Sequence, residues 1–151
     1  GRTITEDLML PDIIHTLPRD DRFAYARLLA FMTRVDNELS VAEMAMFEQR
    51  LGNALLSPKQ REMIRLSLKN PPTLESCLDG MGEEAGRLAL RDSVLMAAAD
   101  GTVDEDEREV LEEIAAHFGL VDDAVEQLLQ WTNEGYNWMN SGFDLLNGLS
   151  E

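Results

Sequence analysis

Between Arg22 and Val35 ("RFAYARLLAFMTRV") the apolar residues Phe23, Ala26, Ala30 and Phe31, with Leu28, Leu29 and Met32 beside them, keep helical spacing and cover much of the circumference. A well-buried helix is expected there. The next segment, "SVAEMAMFEQRLG", places Ser40 and Glu43 at the spacing of a capping box and Gly52 near its C-terminus. "SPKQREMIRLSLKN" has Pro58 in a first-turn position, and "NPP" closes it. A shorter helix, "TLESCLDGM", is stopped by Gly80. Helical periodicity returns in "EEAGRLALRDSVLMAAAD" and in "DEDEREVLEEIAAHFG", where Val110, Leu111, Ile114, Ala115 and Phe118 make an apolar face. The last helix is expected from about Asp122 to near Asn140, because Val125, Leu128, Leu129, Trp131 and Trp138 recur at helical intervals. No segment alternates strictly with β-branched residues, so the pattern predicts an all-α fold of roughly six to eight helices in short-looped antiparallel packing.

Residues 27–48 superpose without a gap on residues 91–112 at a constant offset of 64. Asp36 meets Asp100, Asn37 meets Gly101, Leu39 meets Val103, Ser40 meets Asp104 and Glu43 meets Glu107. Each copy reads as helix, short acidic turn, helix, with boundaries near 22–53 and 86–119 and a C-terminal helix and tail over 122–151. One such unit is too small to bury its apolar face, so the two copies are expected to pair about a pseudo-twofold axis within a single domain spanning 1–151. That pairing would bring the two acidic turns together.

Much of each turn is explained by capping. Asn37 and Gly101 suit the left-handed position that ends a helix, Leu39 and Val103 point back to the core, and Ser40 and Asp104 cap the next helix with Glu43 and Glu107 as reciprocal partners. Asp36 and Asp100 are not explained this way, since a carboxylate at a helix C-terminus faces the wrong end of the dipole. In a calcium loop, Asp100, Gly101, Asp104 and Glu107 would fit positions 5, 6, 9 and 12, but positions 1 and 3 are Met96 and Ala98 here and Met32 and Arg34 in the first copy. Neither turn is a complete oxygen cage. If the turns face each other, Asp36, Glu43, Asp100 and Glu107 converge into a four-carboxylate site with Asp104 and Ser40 at its edge, a donor set suited to Ca²⁺, Mg²⁺ or Mn²⁺. The competing account has the aspartates bonded to backbone N–H groups of the opposite turn, with no metal.

Composition narrows the partners. With 44% hydrophobic residues over 151 positions the chain can bury one core. The 29 acidic against 13 basic residues give a net charge of −16, which repels phosphate backbones and anionic lipid. Nucleic acid is thereby disfavoured, and cations or basic protein patches are favoured. One cysteine, Cys77, excludes an internal disulfide framework and fits a reducing compartment; its expected role is packing beside Leu74 and Leu78. No apolar run approaches a membrane span and no signal peptide opens the chain, so a soluble cytoplasmic protein without membrane insertion is expected. The start at Gly1 rather than methionine reads as trimmed.

Enzyme machinery is not visible: His15 and His117 have no carboxylate or cysteine at ligand spacing, Cys77 has no nucleophile signature, and no glycine-rich phosphate loop follows a strand. No catalytic or cofactor-binding residue is assigned. The tail, "WTNEGYNWMNSGFDLLNG", gathers both tryptophans with Tyr136, Met139 and Phe143. It is expected to form a final helix covering the bundle, the alternative being a partner-docking or dimerising segment that makes a homo-oligomer.

The repeated helix, D-G-x-V-x-x-x-E, helix arrangement, strongest in "LMAAADGTVDEDEREVLEEIAAHFGL", resembles the TerB-like family named for tellurite-resistance proteins, a fold that also opens some membrane-anchored J-domain co-chaperones. The resemblance covers roughly Arg22 to Trp131. It implies an all-helical domain with clustered carboxylates at two turns, a divalent-metal site at Asp36, Glu43, Asp100, Asp104 and Glu107, and a role in tellurite or envelope stress through partner proteins rather than through an enzymatic reaction. The chain departs from the family pattern at Asn37, where glycine is usual, and at Ser40. A metal-dependent hydrolase using the same carboxylates, or a metal-free helical scaffold, are the rival expectations.

Overall fold

A computed structural model describes residues 12–35, 40–99 and 101–150. Among these residues there are seven α-helices, one 3₁₀ turn (Ile14–Thr16) and no strand, as the periodicity predicts. The helices are α1 (Arg19–Met32), α2 (Val41–Asn53), α3 (Pro58–Lys69), α4 (Leu74–Leu78), α5 (Glu83–Ala97), α6 (Glu105–His117) and α7 (Ala124–Gly148).

The 64-residue repeat is kept in the helix boundaries. Val41 and Glu105 open α2 and α6, Asn53 and His117 close them, and Arg19 and Glu83 open α1 and α5 at the same offset. The buried positions follow the same register: Glu43, Phe47 and Leu51 in α2 answer to Glu107, Leu111 and Ala115 in α6. Side-chain caps set the starts. Ser40, Ser57, Thr73 and Asp104 each accept a hydrogen bond from the backbone N–H three residues on, satisfying an otherwise orphaned donor. Asp104 with Glu107 forms the expected full capping box, and Ser57 with Gln60 forms another. Gly101, at φ +100°, takes the left-handed conformation expected of it. Gly52 lies one residue before the end of α2, near the C-terminus as expected, and the positive φ that follows the helix falls on Leu55, at +53°. The Arg22 guanidinium compensates by donating to the carbonyls of Ala54 and Leu55, both at 3.1 Å.

α1 and α5, the first helices of the two copies, make the most extensive helix contact and are buried on most sides. Around them one apolar cluster draws on every helix, from Ile14 in the 3₁₀ turn to Val125 in α7. Cys77 is buried within it beside Leu78, in the packing role expected of it. No helix among the described residues is long and apolar enough to cross a membrane.

The tail departs from expectation in length and in burial. α7 does not stop near Asn140 but continues through Ser141 and Gly142 to Gly148. A glycine inside a helix costs only about 1 kcal/mol relative to alanine, and no proline intervenes, so "NSG" is not a terminator here. Its first half packs on the bundle through Ala124, Val125, Leu128, Leu129 and Thr132. The second half does not cover the core: every residue from Asn137 to Gly148 is exposed.

Candidate functional site

The five residues singled out for a metal divide between described and undescribed positions. Asp36 and Asp100 lie outside the described residues, as do Asn37 and Leu39. Glu43, Asp104 and Glu107 are placed, each at the start of a helix. Ser40 Oγ accepts from the Glu43 N–H at 3.0 Å, and the Ser40 hydroxyl lies 3.3 Å from Glu43 Oε1. In the second copy Asp104 Oδ1 accepts from the Glu107 N–H at 2.8 Å, while Glu107 Oε1 accepts from the Asp104 N–H at 3.4 Å. Asp104 is exposed, but the two glutamates are buried, at 3% and 4% exposure. The third helical position of a capped helix is more often at the surface than in the core. A buried carboxylate there needs hydrogen bonds, a neighbouring cation, or both. The structure thus brings Ser40 to Glu43 and Asp104 to Glu107. No group of three or more His, Cys, Asp or Glu side chains suited to a metal occurs among the described residues.

A second polar assembly was not signalled by the sequence. Asp92 is fully buried in α5, and the Tyr25 hydroxyl of α1 donates to its Oδ2. Arg91 Nε donates to Asp92 Oδ1 at 2.8 Å, and Arg91 Nη2 reaches Asp12 Oδ2 at 2.6 Å. Arg50 of α2 donates to the same Asp12 oxygen at 3.0 Å. The Arg91 guanidinium also lies 6.0 Å from the Trp131 ring centroid, within cation–π range. Five side chains thus tie α1, α2 and α5 to the segment before the 3₁₀ turn, and Arg91 extends the assembly to α7. Burial opposes the charge on Arg91, but its bonds and attraction to Asp92 and Asp12 outweigh that cost and raise its pKa. These paired charges tie α1, α2 and α5 together.

Tyr25 makes the assembly pH-sensitive. Burial, then the charge and hydrogen bond of Asp92, push its phenol well above the ordinary 10.0, more than Arg50 and Arg91 lower it. Above that ordinary value the unfolded chain releases the phenolic proton and the folded chain keeps it. The Tyr25 contribution is therefore intact below about pH 10 and falls by about 1.4 kcal/mol per pH unit above it. Denaturant unfolding from about pH 9 to 11 should show a steeper alkaline loss in the wild type than in Tyr25→Phe. Parallel curves would contradict the assignment.

Against solved structures, the chain matches the crystal structure of a tellurite resistance protein from Nostoc punctiforme with a TM-score of 0.68 and 17% sequence identity, over 94% of this chain and 99% of that one. No protein-family model and no curated protein sequence matches. At that identity the likeness establishes the fold: an all-helical, TerB-like bundle.

Proposed function

We propose that the chain is a non-enzymatic, cytoplasmic TerB-like module that acts through partner proteins in tellurite or envelope stress, and that it holds a divalent cation between its two acidic turns. The observation that carries the reading is the extent of the fold likeness, which takes in nearly all of both chains rather than one helical hairpin. The acidic surface suits a cation or a basic protein partner and disfavours nucleic acid.

Support for a cation comes from donor chemistry. Glu43 and Glu107 occupy equivalent, buried positions in the first turns of α2 and α6, next to turns that carry Asp36 and Asp100 in the sequence. With Asp104 these carboxylates would hold the ion, and an all-oxygen set selects Ca²⁺, Mg²⁺ or Mn²⁺ over zinc. The bound ion would neutralise the carboxylates and tie one turn to the other, fixing the surface presented to a partner. No bond-making step is assigned to it.

Ligand binding to the folded state alone raises stability by about 2.7 kcal/mol at a metal concentration 100 times Kd. For a domain of this size that is a rise in Tm of roughly 5–10 °C. Thermal unfolding in Mn²⁺ or Ca²⁺ against a chelator should show such a shift in the wild type and lose it in Glu107→Gln. Glutamine keeps the capping box, so the variant isolates the charge from the cap. Equal shifts in both proteins would mean diffuse attraction to an acidic surface and would defeat the metal half of the proposal.

A further inference from the structure

The second half of α7 has no counterpart in the first copy. α3 occupies the equivalent place after α2 but ends at Lys69, which the 64-residue offset maps onto Asn133. Beyond that point the extension carries Trp138, Met139, Phe143, Leu145, Leu146 and Leu149, all between 53% and 72% exposed. Such a face on a charged, soluble chain calls for a partner.

We propose that it is covered by a second copy of this chain, through antiparallel pairing of the two α7 helices about a twofold axis near Asn140. Three observations select this occupant. The first is a pattern of sizes. Trp131, Trp138 and Leu145 recur every seven residues, and Gly135, Gly142 and Leu149 follow each of them by four, which is the seam of a coiled coil. Glycine is the poorest helix former after proline, and a Cβ at Gly135 or Gly142 would meet open space, so neither glycine is required by contacts within the chain. A parallel pair would set tryptophan against tryptophan and glycine against glycine. In the antiparallel pair Trp138 sits over the partner's Gly142, Leu145 over the partner's Gly135, and Trp131 against the partner's Leu149. Large side chains then meet small ones at both glycine layers, and the arrangement is self-complementary as a twofold interface requires.

Area is the second observation. The seam residues Trp131, Trp138, Leu145 and Leu149, with Met139 and Leu146 at its edge, expose roughly 700 Å² per copy, taking about 150–250 Å² for each large side chain scaled by its exposure, close to the roughly 800 Å² that a standard stable interface takes from each partner. The face continues into a cleft of about 540 Å³ beside Trp131, lined by Leu90, Leu120, Val121 and Leu128, where the partner's C-terminal leucines would end.

Charge is the third. From Trp131 to Leu149 the only ionisable acids are Glu134 and Asp144, with no lysine or arginine, and Asp144 falls on the opposite side of the helix from the seam. The face therefore suits neither anionic lipid, which needs cations, nor a basic partner, which needs acids. Antiparallel pairing also sets the two acidic bundles roughly 30 Å apart along the helix axis at 1.5 Å per residue, well beyond the Debye length of about 8 Å at physiological salt. This inference is independent of the metal reading.

Sedimentation velocity and light scattering on the whole chain should give a dimer at concentrations on the order of tens of micromolar. Gly142→Leu is the decisive variant: it raises helix propensity and apolar area, so nonspecific sticking would increase, whereas the proposed pairing loses its hole and should weaken at least tenfold. Circular dichroism checks that helicity is retained, as expected for a residue outside the core. Ser141→Cys, near the axis, should form an intermolecular disulfide, since Cys77 is buried. A monomeric wild type at every concentration, or a dimer that survives Gly142→Leu, would overturn the proposal; so would a monomer whose α7 is protected by residues of its own chain or by a different protein.

Discussion

Replacing Asp92 by alanine is expected to lower stability by about 3 kcal/mol, at the low end of the 3–5 kcal/mol typical for breaking a buried ion pair. The loss has two parts. The Tyr25 hydroxyl, buried in α1, is left without its acceptor. Arg91 loses one of its carboxylates but keeps Asp12 at 2.6 Å, which holds the cost to the lower end. For a domain of this length the change is a fall in Tm of roughly 6–12 °C. The double variant Tyr25→Phe with Asp92→Leu should recover the Tyr25 part of the loss, because no buried phenol is left in want of an acceptor, while Arg91 still lacks its bond to Asp92. Chemical denaturation of the single and double variants reads both values. If Asp92→Ala unfolds with the wild-type midpoint, the network does not hold α1 to α5.

Truncating Phe47 to alanine is the second large effect, at about 3–5 kcal/mol, from lost transfer energy and the cavity left in α2. Phe47 is fully buried one helical turn after Glu43, and Leu111, its equivalent at the 64-residue offset, is buried to the same degree. Leu111→Ala should cost about 2–5 kcal/mol by the same mechanism. Phe143→Ala in the α7 extension is the contrast, expected within about 0.5 kcal/mol at low protein concentration because that ring is exposed. A Phe143 effect as large as that of Phe47 would mean that the tail covers a core after all.

The contrast between Phe47 and Phe143 marks what the sequence could reveal. Local chemistry was legible: Ser40, Asp104 and Glu107 announce helix starts through short-range spacing, and the repeat fixed the register of α2 and α6 to the residue. The Tyr25–Asp92 bond was not, since its partners are 67 residues apart and an aspartate inside "LRDSV" carries no local sign of burial. The tail misled for a related reason. Aromatic periodicity in α7 states that a face is apolar and says nothing about whether the bundle is long enough to cover it. Of the candidate site, the capping geometry was legible at Glu43, Asp104 and Glu107, whereas convergence of the two turns depends on tertiary placement of Asp36 and Asp100, which lie outside the described residues.

The most direct test of the proposed metal site is calorimetric titration with Ca²⁺, Mg²⁺ and Mn²⁺ at physiological salt. Three proteins are compared: the wild type, Asp100→Asn with Glu107→Gln, and a control that neutralises Glu83 and Glu84, two exposed acids in the first turn of α5. Saturable binding in the wild type and the control, absent from the turn variant, is the predicted result. Identical heats from all three would contradict it, leaving Asp104 and Glu107 as helix caps on an acidic scaffold.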